Sequence, residues 1–151
     1  MGLFKQLSPF HKMASNGEEL ILKEVSKKKD KSPDNKSLEK GNQLARKQRF
    51  KKALKYYEEG IKINSDSINL WLDSGLALFQ LKEYTESIKK FDKALDLDKN
   101  SYKAWIYKGY SLEKLQKEKK ALNCFNKALE INSNDIKALL GKAYVLIKLR
   151  R

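Results

Sequence analysis

A period of 34 residues runs through most of this chain of 151 residues and constrains its fold more than any other feature. Trp71 and Trp105 are 34 positions apart, and Leu139 follows at the same step. Two further sets of residues recur at this step, and we call each set a column. The small column is Gly41, Gly75, Gly109 and Ala143, and the aromatic column is Tyr57, Phe91 and Phe125. A fixed period of this length predicts an array in which each unit packs on its neighbours.

Each period contains two helical patterns joined by a short turn. Trp71, Ser74, Gly75 and Leu78 follow the i, i+3, i+4, i+7 spacing of one helical face, and Leu70 adjoins it. Polar clusters separate the periods, and their last members can each cap the next helix: Ser67, Ser101 and Asp135. The pattern predicts helices near 36–48, 51–63, 68–81, 85–97, 102–115, 119–131 and 136–149.

Small and large residues recur on opposite faces of these predicted helices. Glycine inside a helix costs about 0.5–1 kcal/mol relative to alanine, so its regular recurrence indicates close packing. The large residues Trp71, Trp105 and Phe91 are therefore expected to fill the space between neighbouring hairpins. We expect the tryptophans to belong to the core.

The order of these residue types resembles the tetratricopeptide repeat. Trp71, Gly75 and Leu78 are followed by Phe91 and Ala94, and the next period repeats the order. The resemblance covers repeats near 34–67, 68–101 and 102–135, with 136–149 as a C-terminal capping helix. It implies an all-α fold, an α-solenoid of three helix-turn-helix repeats, and a domain spanning 34–151.

The resemblance also implies a non-catalytic scaffold for protein–protein interaction. Partner segments would bind in a concave groove formed by the first helix of each repeat. The groove positions map onto Asn42, Arg46, Leu72, Leu76, Phe79, Lys103, Ile106, Tyr110, Lys114, Leu140, Tyr144, Ile147 and Lys148. An aromatic and aliphatic floor with basic residues suits a peptide or helix with apolar and acidic side chains.

The residues at a few positions bear on one class of partner. Resemblance to members that bind the C-terminal tails of heat-shock chaperones would imply a carboxylate clamp, at Leu38, Asn42, Asp73, Lys103 and Tyr107. Asn42 and Lys103 have suitable side chains, whereas Asp73 would repel a carboxylate. These residues argue against binding of such tails.

The predicted capping helix is apolar for a helix at the end of an array. It carries Tyr144, Val145, Leu146 and Ile147 in succession. Either part of this helix is exposed, or the chain forms a homodimer through this end.

The first 33 residues differ in composition from the rest. They contain both prolines and the run Ser26–Pro33, which has too few apolar residues to order itself and is expected to be a lysine-rich linker. Glu18 and Glu19 precede a short apolar stripe of Leu20, Ile21 and Val25. This segment is expected to be flexible or loosely docked, and it could fill the groove in cis.

The formal net charge of +14 leaves a second function open. A lysine-rich surface can associate with nucleic acid or an anionic membrane. The basic residues are 29 Lys and 4 Arg, however, and arginine is the residue suited to bidentate phosphate and base contacts. Nucleic acid is therefore the weaker alternative.

The chemistry of an enzyme is not visible in the sequence. One His and one Cys do not suggest a metal site, and no glycine-rich phosphate loop occurs. Cys124 lies among apolar residues of a predicted helix and is expected to be inert. We expect no cofactor, no metal and no catalytic residue, and a cytoplasmic location.

Overall fold

The computed structural model describes residues 32–151, and within this range the secondary structure is helical. In chain order the helices are α1 (Pro33–Arg46), α2 (Phe50–Ile63), α3 (Ile68–Gln80), α4 (Tyr84–Leu97), α5 (Tyr102–Lys114), α6 (Glu118–Ile131) and α7 (Ile136–Leu149). The lysine-rich linker up to Lys31 and the stripe formed by Leu20, Ile21 and Val25 lie outside the described residues.

The helices stack in sequence order. α1 packs on α2, α3 on α4 and α5 on α6, and each of these hairpins packs on the next, with α7 closing the series. Each helix contacts mainly its neighbours along the chain, which is the arrangement of a solenoid. The prediction of an all-α solenoid is confirmed.

The turn inside each hairpin repeats the same backbone geometry. Gln48, Lys82 and Gln116 have φ angles of 56°, 63° and 58°, in the left-handed region. The residue after each of them donates its N–H to a carbonyl near the end of the first helix, at 2.9 Å in all three turns. This pattern closes the C-terminus of a helix and reverses the chain.

The turns between repeats are less uniform than the sequence suggests. Ser67, Ser101 and Asp135 do stand at the N-caps of α3, α5 and α7. Of these three, the Asp135 side chain alone accepts a capping hydrogen bond, from the Ala138 N–H at 3.0 Å. Position in the period therefore predicted where the helices begin, but not which side chains cap them.

The core is built on one aromatic ring in each second helix. Tyr57, Phe91 and Phe125 are at most 2% exposed. Phe125 lies between Gly109 of α5 and Gly141 of α7, and a Cβ added at either glycine would come within 2.8 Å of the ring. Glycine is required there because the ring occupies the space that any side chain would need.

Two of the column assignments need correction at this point. Gly141, and not Ala143, supplies the small surface of α7, and Ala143 is exposed because no second helix follows α7 in the described chain. Trp71 and Trp105 pack against the core as expected, but they are half-buried and lie at its edge. Their indole N–H groups donate to the carbonyls of Ser65 at 2.6 Å and Lys99 at 2.9 Å, which anchors the turns between repeats.

The buried aromatic column leads to a prediction about stability. Phe125→Ala should lower the free energy of unfolding by about 3–5 kcal/mol, because it empties the space between two helices. Urea denaturation followed by circular dichroism measures the change. Tyr144→Ala, on the exposed face of α7, is the matched control and should change stability by less than about 1 kcal/mol. Equal effects of the two changes would contradict the ring-on-glycine core.

A second prediction concerns buried hydroxyl groups. Among the described residues, Ser74 Oγ is buried without a hydrogen-bond partner. Ser87 Oγ and Ser111 Oγ, also buried, lie 3.1 Å apart and bond to each other. Ser74→Ala should raise the free energy of unfolding by up to about 1 kcal/mol, because it removes a desolvated polar group, whereas Ser87→Ala should lower it. Thermal melts of both variants test this difference in sign.

Candidate functional site

Two adjoining cavities follow the face formed by the first helices of the repeats. The larger, about 590 Å³, lies between α3, α5 and the start of α7. The smaller, about 310 Å³, lies between α1, α2 and α3. Asp73, Leu76 and Tyr107 line both cavities, so the two adjoin, and together we call them the groove.

Six of the residues predicted for the site line the groove. Leu72, Lys103 and Ile106 line the larger cavity, Asn42 and Arg46 line the smaller, and Leu76 lines both. Ile106 is 2% exposed and forms part of the core, so it supports the floor from beneath. The others present surface to the groove.

Two predicted aromatic residues are engaged within the fold. The Phe79 ring packs edge-on against Tyr84 and Tyr107, with ring centroids 5.4 Å and 6.3 Å away. The Tyr110 hydroxyl donates to the Lys137 carbonyl oxygen at 2.7 Å, and its ring packs on Phe125. Tyr110 therefore joins α5 to α7, and its replacement would disturb stability as well as any binding.

The remaining predicted residues lie toward the end of the array and outside the two cavities. Leu140 and Tyr144 are 64% and 51% exposed on α7, and Ile147 is exposed beside them. Lys148 Nζ lies 5.0 Å from the centre of the Tyr144 ring. This patch is exposed because no further helix packs on α7 in the described chain. Dimerisation through it stays a prediction.

Lys114 and Lys148 flank a buried carboxylate, that of Glu113. Glu113 is 5% exposed, and its Oε1 accepts from Lys148 Nζ at 2.6 Å, with Lys114 Nζ 3.3 Å from Oε2. Helical spacing alone would pair Glu113 with Lys117, one turn later. Burial acts to raise the pKa of Glu113, but the two lysines outweigh it and lower the pKa. This ion pair ties α7 to α5.

A buried polar network lies where the two cavities meet. The Tyr57 hydroxyl donates to Asn42 Oδ1 at 2.7 Å, and Asn42 in turn hydrogen-bonds Asp73. Burial raises the pKa of Asp73 to about 6, although Lys103 and Asn42 act to lower it. Burial and the charge of Asp73 together raise the pKa of Tyr57 well above its ordinary value.

Tyr107 and Lys137 are among the groove residues that were missing from the predicted site. Lys137 Nζ donates to the Tyr107 hydroxyl at 2.9 Å and lies over the Tyr107 ring, and both residues line the larger cavity. The signal for Lys137 was available, because it stands 34 positions after Lys103. The sequence does not show that Tyr107 unites the two cavities, since this depends on how α5 packs on α3.

The exposed charges of the larger cavity are positive. Lys103 and Lys137 are both exposed, whereas Asp73 is partly buried. The Asp135 carboxylate is engaged at the N-terminus of α7. An acidic group entering this cavity would therefore meet two accessible ammonium groups.

No helix in the part of the chain that the structure describes is long and apolar enough to cross a membrane.

Comparison with known proteins identifies the repeat. Two models described as tetratricopeptide repeat match the chain, one over residues 38–102 and one over 102–135. Together they cover well over half of the sequence. No curated protein matches the chain in sequence.

Solved structures match the fold closely at low sequence identity. The first such domain of Spaghetti (RPAP3), bound to the HSP90 peptide SRMEEVD, has a TM-score of 0.78 at 22% identity, covering 79% of this chain and 94% of that one. The Arabidopsis OM64 domain has a TM-score of 0.76 at 24% identity, covering 77% and 96%. The second domain of human RPAP3, with the HSP70 peptide SGPTIEEVD, gives 0.71 at 21%, covering 72% and 91%.

The prediction against heat-shock-chaperone tails as partners is therefore wrong. Structures with this fold and only 21–22% identity hold such tails, HSP90 and HSP70 peptides, in complex. The argument treated Asp73 as an exposed charge facing the ligand. In the structure Asp73 is partly buried, hydrogen-bonded by Asn42 and close to Lys103, and Lys137 adds a second ammonium group that the argument omitted.

The raised pKa of Asp73 generates a prediction about pH. The carboxyl binds its proton more tightly in the folded chain, at a pKa of about 6, than at its ordinary value of 3.8. Its contribution to stability is therefore present below pH 4 and is lost as the pH rises through 6. Asp73→Asn should raise the free energy of unfolding at pH 7 by about 1–3 kcal/mol, with little gain at pH 4.

Urea denaturation of both proteins between pH 4 and 7.5 measures this difference. The control is Asp96→Asn, because Asp96 is exposed on α4. A gain for Asp73→Asn that does not depend on pH would contradict the assignment.

Proposed function

This chain belongs to the tetratricopeptide repeat family, and on that premise we propose that it is a non-catalytic scaffold whose groove binds a segment of a partner protein. The family fold and the shape of the groove support this function. A cytoplasmic location stays a prediction. The observation that carries the proposal is the pair of adjoining cavities along α1, α3, α5 and α7.

The lining of the groove favours an extended peptide with apolar and acidic side chains. Leu72 and Leu76 offer apolar contacts on one wall. Lys103 and Lys137, one repeat apart, line the same cavity and can receive carboxylates. Acidic C-terminal tails such as those held by the similar structures are one ligand of this class.

Association of the lysine-rich surface with nucleic acid or an anionic membrane finds no specific support in the described residues. Several lysines on the second helices and the outer face are already paired with carboxylates. Lys108 Nζ lies 2.6 Å from Asp92 Oδ1, and Lys90 Nζ lies 3.7 Å from Glu58 Oε1. Such pairs reduce the charge available to a phosphate backbone.

The proposal predicts which lysine controls binding. The labelled peptide SRMEEVD serves as the probe, and fluorescence anisotropy measures its dissociation constant. Lys103→Glu should weaken binding at least about tenfold, because it replaces an attractive charge in the groove with a repulsive one. Leu72→Ser combined with Leu76→Ser should also weaken it, at unchanged helical content.

The matched control is Lys120→Glu, which makes the same change of charge on the exposed surface of α6. It should leave the dissociation constant within about twofold. Equal weakening by Lys103→Glu and Lys120→Glu, with a steep dependence on salt, would contradict groove binding and favour diffuse electrostatic association instead.

A further inference from the structure

The described chain begins beside the groove. A third cavity, about 780 Å³, lies along the turns between repeats, and Ser32 and Asp34 line one end of it. Leu72, Tyr102 and Lys103 line both this edge cavity and the larger cavity of the groove. The residues that precede Ser32 are therefore attached at a surface that leads directly into the groove.

The edge cavity and the groove differ in charge. Three carboxylates line the edge cavity, those of Asp34, Asp66 and Asp98. The Asn64 side chain donates to Asp34 Oδ2 at 2.8 Å, and this bond lowers the pKa of Asp34. The edge cavity thus presents three carboxylates beside the one ammonium group of Lys103, which it shares with the groove, whereas Lys103 and Lys137 are both exposed in the groove.

The sequence before Ser32 carries the complementary pattern in the same order. Nearest to Ser32 is the basic run Lys27–Lys31, which would face the carboxylates of the edge cavity. Before it comes the segment Glu18–Val25, with acids at 18, 19 and 24 and apolar residues at 20, 21, 22 and 25. This segment has the composition that the groove favours.

The connection is long enough for the segment to reach the groove. Seven residue steps separate Val25 from Ser32. An extended chain spans at most about 3.3–3.6 Å per residue, so these steps cover up to about 24 Å. Leu72, Tyr102 and Lys103 line both cavities. A chain that crosses the edge cavity therefore reaches the groove directly.

We propose that the segment Glu18–Val25 occupies the groove in cis, with its acids toward Lys103 and Lys137 and its apolar residues toward Leu72 and Leu76. This inference rests on the proposed function of the groove and adds its regulation. Any partner must then displace the chain's own segment. The basic run lies over the carboxylates of the edge cavity and sets the position of the segment.

The expected strength of this autoinhibition follows from the tether. A short flexible linker holds a ligand at an effective concentration on the order of 1 mM. If the free segment binds with a dissociation constant on the order of 100 μM, the tethered copy should weaken binding of a competitor about tenfold.

The first test detects the segment in the groove of the full chain. Methyl signals of Leu72 and Leu76 are recorded by NMR for the wild type and for Leu20→Ser combined with Ile21→Ser. We expect both signals to shift in this release variant, because the segment leaves the groove. Leu3→Ser combined with Leu7→Ser, outside the segment, is the control and should leave them unchanged. Unchanged signals in the release variant would overturn the proposal.

The second test uses competition. A labelled synthetic peptide of residues 16–25 is titrated into the wild type and into the release variant. We expect about tenfold tighter binding to the release variant, and loss of that binding when Lys103→Glu is added. Equal, measurable affinity for both chains would overturn cis occupancy while the groove stands as a binding site.

The same pair of chains separates this inference from the proposed function. The peptide SRMEEVD is titrated into both. Tighter binding to the release variant supports both statements. If neither chain binds SRMEEVD but the Leu72 and Leu76 signals shift, the result would count against the proposed class of partner. Cis occupancy would still stand. Failure to bind and unshifted signals would overturn both.

Discussion

The packing of one aromatic ring against a glycine is the contact on which the rest of this structure depends. In each repeat the ring of the second helix lies on the glycine of the first helix, as Phe91 lies on Gly75. The same ring then meets the first helix of the next repeat, where Phe91 stacks on Tyr107 at 6.2 Å. Because one ring serves both contacts, the spacing inside a hairpin and the spacing between hairpins are set together. The curvature that forms the groove follows from repeating this step.

The same column connects the core to the groove. In the first repeat the ring belongs to Tyr57, and its hydroxyl reaches Asn42 on the groove face. The neighbouring position on the next first helix is Asp73, whose pKa is raised to about 6 by burial. The groove is therefore not a surface added to an inert scaffold. Its central polar group is partly buried by the packing that holds the repeats together, so stability and binding are coupled at this point.

Several sequence predictions were correct about position and wrong about role. Trp71 and Trp105 recur with the period, yet their indoles hold the turns while smaller rings fill the core. Helical spacing favours Lys117 as the partner of Glu113, but α7 brings Lys148 to it instead. The argument from Asp73 failed for a similar reason, since a carboxylate's effect on a ligand depends on its burial and neighbours. For both carboxylates the deciding partners came from other helices, which local spacing does not reveal.

The sequence by itself determined the helices, their pairing and the solenoid, because these follow from a period of 34 residues and from contacts between neighbours along the chain. It also determined that Leu72, Leu76 and Lys103 share one face, and the same period contained the signal for Lys137. Only the tertiary structure decided that Tyr107 lines both cavities of the groove and that Ile106 lies beneath its floor. It also decided that Ser32 lines the edge cavity, next to the groove. These facts depend on the angle at which successive hairpins pack, and that angle is set by side chains that meet across repeats.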